Sequence, residues 1–552
     1  MDGKYSSKTW SLFNLSDGSV IARAKSRLLE IRGHEALFIF PAILLILFLL
    51  RSRPGLPRHS KPLPGPKGYP IIGNLSQIPP KHSWLKFKEW ADIHGPIYGL
   101  RLGNRQHVVL STEKVANQLL RERGGNYSSR EQTVMAAELL SDNLRPLLLP
   151  YNDRWRRVRK VMHQLTMPTS AATYEPTQLL ESTRAIHKLM EHPEMYQQIF
   201  QQYSSGVVFR IGYGKRIVTG KEEPLRRIIQ VNHHLERIAS PGSYLVDTLP
   251  VLKYLPTWLA PFKNEGARLH DEELGLFREL LEEVRQKMHD GTAVPCFASE
   301  FIRRQEKSQL SDDEGAYLVG TMFEAGSGTT AAAMLSFCLA MTLYPEWQKL
   351  VWEELDRVCP DRLPDFQDIP KLPSVRAVIK ETMRWHPVTS GGVPHQSVRD
   401  DTYDGYFLPR GSVVHANQWA IHREPALYPD PERFNPQRWL LPEYPTYEQP
   451  LSRFPNLQNY SCFGFGRRIC PGMNVAERSL YILAARILWA FEFSKKRSAD
   501  GREIHVPEYD YIPGFNTQPK PFHFSLKIRT ETRKKVLKET WKKAQELDPL
   551  RD

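Results

Sequence analysis

Cysteine is scarce: the 552-residue chain has five, Cys296, Cys338, Cys359, Cys462 and Cys470, an odd number with no C-x-x-C pair. This spacing excludes a disulfide framework and a tetrahedral zinc ribbon, and fits reduced thiols facing a cytosol-like compartment. Internal repeats and long low-complexity runs are missing too, so a repeat architecture is excluded. The net charge of +14 comes without a basic arm or zinc-finger spacing. Nucleic acid is therefore not an expected partner, whereas an anionic membrane or an acidic protein surface is.

Proline is not scarce. The 43 prolines exceed the ordinary share of about 5% and point to many irregular connections. A hydrophobic content of 41%, with 11% aromatic residues, is enough for a sizeable core.

Near the N-terminal end, ALFIFPAILLILFLL (36–50) is an uncharged apolar run closed by Arg51, Arg53 and Arg58. At about 1.5 Å per residue it makes about 22 Å of helix, short of a hydrocarbon core of about 30 Å, so flanking residues complete the span. It starts far from Met1 and no small-residue cleavage pattern follows it, which separates it from a signal peptide. The basic residues after the run, Arg51 to Lys67, place the rest of the chain in the cytosol. The expected organisation is a polar extension (1–34), a membrane anchor (35–53), a proline-rich linker (54–68), one large domain (69–529) and a charged tail (530–552). A solvated helix is expected for the tail.

The body reads as mostly α with a minor β part. Ser311 and Glu314 have capping-box spacing and open an apolar stretch that runs to Pro345, expected as a buried helix. PEWQKLVWEELDRV, VRAVIKETMRW and residues 472–492 read as further helices, and DDTYDGYFLPRGSVVHA as a hairpin or small sheet.

Within FGFGRRICPG (463–472) Cys470 precedes a helix start, where free N–H groups and the helix dipole favour a thiolate. Arg467 and Arg468 add positive charge, and Gly464, Gly466 and Gly472 let backbone approach something flat and bulky. One anionic sulfur with no neighbouring histidine or cysteine suits an axial ligand to haem iron.

Phe463, Gly466, Arg468, Cys470 and Gly472 resemble the F-x-x-G-x-R-x-C-x-G signature of the cytochrome P450 superfamily of haem-thiolate monooxygenases. The resemblance extends from residue 62 to about 529 and is strongest to fungal microsomal members that tailor secondary metabolites. It implies that Glu381 and Arg384 (E-x-x-R) form a buried structural triad with Arg438 of FNPQRW. It implies that Trp155 and Arg159 (W-x-x-x-R), His395, Arg468 and Arg130 hold the propionates of haem b, and that Cys470 is the iron ligand. Ala325 to Thr330 is similar to the family's A-G-x-[D/E]-T-T segment. There Gly326 opens space for dioxygen and Thr329 helps deliver protons. Gly328 departs from this pattern, since the family usually has an acid; the expectation is that water or Glu324, one turn earlier, takes its place.

The implied partners are an NADPH-dependent flavoprotein reductase, membrane lipid, dioxygen and a small apolar organic substrate, at the endoplasmic reticulum. Arg156, Arg157, Lys160, Arg467 and Arg478 are the expected basic face for the reductase. Two other readings keep Cys470: an isomerase or dehydratase that needs no external electrons, and a haem-binding protein without catalysis.

Overall fold

The computed structural model describes residue 57 and residues 60–240, 242–447 and 460–550. The polar extension, the anchor and the first part of the linker lie outside the described residues. The long helices are α1 (Ser83–His94), α2 (Asp153–Thr166), α3 (Glu175–Glu191), α4 (Tyr196–Tyr213), α5 (Glu223–Ala239) and α6 (Pro261–His289). They continue with α7 (Phe297–Ser308), α8 (Asp312–Leu343), α9 (Glu346–Val358), α10 (Pro373–Trp385), α11 (Met473–Ala490) and α12 (Glu531–Glu546).

The apolar stretch after Ser311 is the central helix, α8. Its start is the expected capping box: Glu314 N–H donates to Ser311 Oγ at 3.2 Å and Ser311 N–H to the Glu314 carboxylate at 2.8 Å. Among the described residues α8 is the one helix apolar and long enough to cross a membrane, yet 72% of its most apolar window is buried inside the protein. It is a core helix, with α4 lying along one side and α6, α10 and α11 on others.

The β part is small. Strands β1 (Ile97–Leu102) and β2 (Arg105–Leu110) form a hairpin, and β3 (His395–Gln396), β4 (Asp401–Tyr403), β5 (Tyr406–Leu408) and β6 (Val413–Ala416) follow late in the chain. The main sheet has the order β1-β2-β6-β3, parallel only between β2 and β6. The hairpin expected in DDTYDGYFLP is β4–β5, turned by Asp404 and Gly405 at φ of 51° and 79°. Both central residues are left-handed, the conformation that matches strand twist in a two-residue turn.

The tail is the expected helix, mostly exposed to solvent, but one side of it is docked on the body. Leu537 on α12 is fully buried, and α12 packs on α3. Arg533 donates to Trp489 O at 2.8 Å and pairs with Asp356. The charged residues that dominate its composition face outward, and a few inward contacts decide its docking.

Candidate active site

The cysteine loop is held from behind by α10. Arg384 donates to both oxygens of Glu381 at 2.9 and 2.7 Å, Arg438 donates to the same carboxylate at 3.2 Å, and Trp439 Nε1–H adds a bond at 3.0 Å. All three charged side chains are buried. The next turn links this cluster to the loop: Tyr460 OH donates to Lys380 O at 3.1 Å and Cys462 lies at 3.6 Å from Met383 O. Two cations meet one anion here, and backbone carbonyls of His422, Pro431 and Asp430 absorb the remaining donors.

Cys470 lies just ahead of α11. Its N–H donates to Phe463 O at 2.9 Å, closing the loop on itself. Burial pushes the thiol up, while N–H groups of Gly472 and Met473 and the charge of Arg159 pull it down. The expected helix-end donors are therefore present, but the nearby cation is a different one. Arg467 points outward onto the Tyr151 hydroxyl and ring, and Arg468 donates to Ser128 O at 2.7 Å and Pro146 O at 3.3 Å and stacks at 4.3 Å from the Trp155 ring. The glycines also serve other purposes than expected. A Cβ on Gly466, at φ +56°, would sit 2.1 Å from Leu120 O, and Gly464 has φ +87°, so both are fixed by the turn itself.

On the other side of Cys470, α2 presents Trp155 and Arg159 on one face, with Asn152 capping the helix by accepting from Trp155 N–H at 2.9 Å. Arg159 donates to Ile469 O beside the cysteine. Arg130 donates to Val393 O at 2.8 Å and to Pro394 O. His395 donates from Nδ1 to Tyr127 O at 2.7 Å, since a carbonyl can only accept, and its buried ring is held well below the usual histidine range.

These residues form a cluster of cations without an anion. Burial pushes Arg130 down to about 9 and Arg468 down to about 8, the latter aided by the charges of Arg130 and Arg159; Arg159 is lowered as well. Among the described residues no carboxylate pairs with any of the three, and Arg130 Nε is buried without a partner. A chain that desolvates three guanidinium groups beside one thiol fits a ligand carrying carboxylates on its edge and a thiolate-binding metal at its centre. Haem meets both requirements.

Facing this region, α8 carries the A-G-x-x-T-T segment. Ala325 is exposed although Glu324 and Ser327 beside it are buried, so α8 borders an opening in mid-helix. Thr329 Oγ donates to Ala325 O at 3.0 Å. A Cβ on Gly326 would lie 2.3 Å from Val208 Cγ1 of α4, whereas a Cβ on Gly328 would meet nothing within 4 Å. Gly326 thus admits α4, and Gly328 is the glycine that leaves room.

Glu324 belongs to a cluster whose members lie far apart in the sequence. Its carboxylate pairs with Arg145, which also pairs with Glu273 of α6; all three are buried. Burial pushes Glu324 up to about 7, against the pull of Arg145 and with the repulsion of Glu273. Arg478, expected on the basic face, is instead buried and paired with Glu175 at 3.0 Å, whereas Arg156, Arg157, Lys160 and Arg467 are exposed.

A family model described as "Cytochrome P450" matches residues 63–526. The chain belongs to the cytochrome P450 family. It is a monooxygenase of that family, an oxidoreductase with haem iron on a cysteine thiolate. It is 38% identical over 488 residues to the cytochrome P450 monooxygenase fogE of Aspergillus ruber, covering 88% of this chain and 90% of that protein. The cytochrome P450 monooxygenase virE of Hypocrea virens is 37% identical over 502 residues, covering 90% of this chain and 91% of that protein. A zebra fish cytochrome P450 solved with abiraterone has the same fold, with a TM-score of 0.62 over 81% of this chain and all of that one at 23% identity.

Proposed function

We propose that this monooxygenase oxidises a small apolar organic substrate of fungal secondary metabolism, with electrons from an NADPH-dependent flavoprotein reductase and haem b held on Cys470. The observation that supports the site assignment is the trio of buried Arg130 and half-buried Arg159 and Arg468 without a carboxylate among the described residues, next to Cys470. When bound, thiolate-ligated haem supplies reductive activation of dioxygen and transfer of one oxygen atom, the other leaving as water.

The chain's own residues divide the remaining work. Cys470 Sγ would hold the iron, and Gly472 N–H, Met473 N–H and Arg159 favour its negative charge. Trp155, Arg130, Arg159 and Arg468 would donate to the propionates, and His395, whose Nδ1–H is taken by Tyr127 O, would join them only with Nε2 protonated as well. Thr329 hands protons to the oxygen side, and the room beside Gly328 admits the water that a family acid would otherwise replace. Glu324, with its raised affinity for a proton, is the reserve acid. Product formed per NADPH consumed in Glu324→Ala tests this last role; unchanged coupling removes Glu324 from the relay.

For the partners, Arg156, Arg157, Lys160 and Arg467 remain as the basic face for an acidic reductase. For the membrane, residues 35–53 act as a single-pass anchor in the endoplasmic reticulum, with 54–68 as linker and residues 69–529 as the cytosolic catalytic domain. Exposed Tyr69, Ile71, Leu249, Val251, Tyr254 and Trp258 support contact of that domain with lipid. Reconstitution with NADPH-cytochrome reductase is the decisive assay: oxygenated product should require reductase, NADPH and dioxygen. Turnover without reductase would favour the isomerase or dehydratase reading instead.

A further inference from the structure

The described chain continues past α12 into a short turn, and there Asp548 is buried although it lies beyond the charged tail helix. Its carboxylate accepts from both terminal nitrogens of Arg210 on α4, at 2.9 and 2.7 Å, the planar two-point geometry of a strong guanidinium–carboxylate pair. Arg184 of α3 and Arg216, just after α4, approach the same carboxylate at 3.6 Å each. Glu181 accepts from Arg210 at 2.6 Å and from Arg184 at 3.0 Å. Three cations and two anions share this place, so without Asp548 the network would bury two surplus positive charges around Glu181. The Arg184 guanidinium also lies over the Trp541 ring of α12 at 5.9 Å, and a shallow cavity bordered by Arg216, Trp541, Lys542 and Asp548 opens beside it.

We propose that Arg184, Arg210 and Arg216 form a carboxylate-binding site on α3 and α4, and that Asp548 is its built-in ligand, a clasp that fastens the C-terminal segment to the catalytic body. The clasp grips the helix that supports the oxygen side of α8. Six residues before Arg210, about 9 Å along α4, Ser204 donates to Gly326 O at 2.7 Å, and Gln201 donates to Ser327 O at 2.8 Å. Val208 packs against Gly326 between these points. Asp548 is thus a positioning residue: it acts through Arg210 on α4, and through α4 on the turn of α8 that carries Gly326.

The test uses the full chain with Asp548→Ala, which keeps the Cβ and removes only the carboxylate. Amide hydrogen exchange is read in α4 and in residues 326–331, with thermal unfolding followed by far-UV circular dichroism, in sodium formate and in sodium chloride of equal ionic strength. The variant should exchange roughly tenfold faster in α4, as expected for loss of one charged hydrogen-bonded pair, and faster in 326–331. Formate, which supplies the missing carboxylate, should restore both regions, and chloride should not. Arg210→Gln should show the same loosening without response to formate. Unchanged exchange in Asp548→Ala, equal rescue by both salts, or formate rescue of Arg210→Gln would each overturn the proposal. None of these readouts depends on haem chemistry, so they stand or fall apart from the oxygenase reading.

Discussion

Two arginine clusters flank the cysteine loop, one fully buried and one partly so, and they differ in their counter-charge. Behind the loop, Arg384 and Arg438 share the Glu381 carboxylate, and carbonyl oxygens take up their other donors. In front of it, Arg130, Arg159 and Arg468 have carbonyl partners but no carboxylate among the described residues, and all three are pushed below the usual arginine range. The first cluster is complete within the protein and acts as scaffold. The second has no counter-charge among the described residues, which is the ground for assigning it to a ligand that carries carboxylates. A buried charge set that holds its own counter-ion marks structure, and one with no counter-ion at all marks a candidate binding site.

This contrast orders the expected effects. Glu381→Gln should be the most damaging, because it strands two buried guanidinium groups at a cost of about 3–5 kcal/mol; urea unfolding and the yield of haem-loaded protein would measure it. Gly326→Ala comes next, since its methyl would meet Val208 at 2.3 Å. Overpacking of that kind costs about 1–3 kcal/mol, whereas Gly328→Ala, facing open space, should leave the unfolding midpoint unchanged. Arg468→Met should behave in the opposite way to Glu381→Gln: little loss of fold, and haem released roughly tenfold faster to an acceptor apoprotein, as for one lost charged hydrogen bond.

A pH dependence gives a separate test. Glu324 is raised from an ordinary 4.5 to about 7, so across that window the folded chain holds more protons than the unfolded one. Stability must then fall as pH rises from about 4.5 to about 7, with a slope of at most about 1.4 kcal/mol per pH unit from this group. Glu324→Gln should flatten that slope in urea titrations at pH 5 and pH 7.5. An unchanged slope would mean that Glu324 does not hold the proton.

Local features of the site were legible in the sequence because they depend on short spacing. The capping box at Ser311, the E-x-x-R pair on one face of α10, and the β4–β5 turn each follow from residues two to four apart. Side-chain direction and long-range pairing were not legible. Arg467 and Arg468 adjoin Cys470 in sequence yet turn away from it, and the cation that faces the sulfur is Arg159, 311 positions earlier in the chain. Arg145 meets Glu324 across 179 residues and Asp548 meets Arg210 across 338. Nothing in composition or periodicity brings such partners together. Gly326 shows a third limit: the motif implies room for a ligand at this glycine, and the structure places Val208 of α4 against it.

The most direct test of the central claim is the absorbance spectrum of the reduced, carbon-monoxide-bound protein in membranes, recorded beside Cys470→His. A strongly red-shifted Soret band in the natural chain and its loss in the variant are predicted. The band of histidine-ligated haem in both, or well-folded protein that takes up no haem, would contradict the assignment of Cys470 and of the cation cluster built around it.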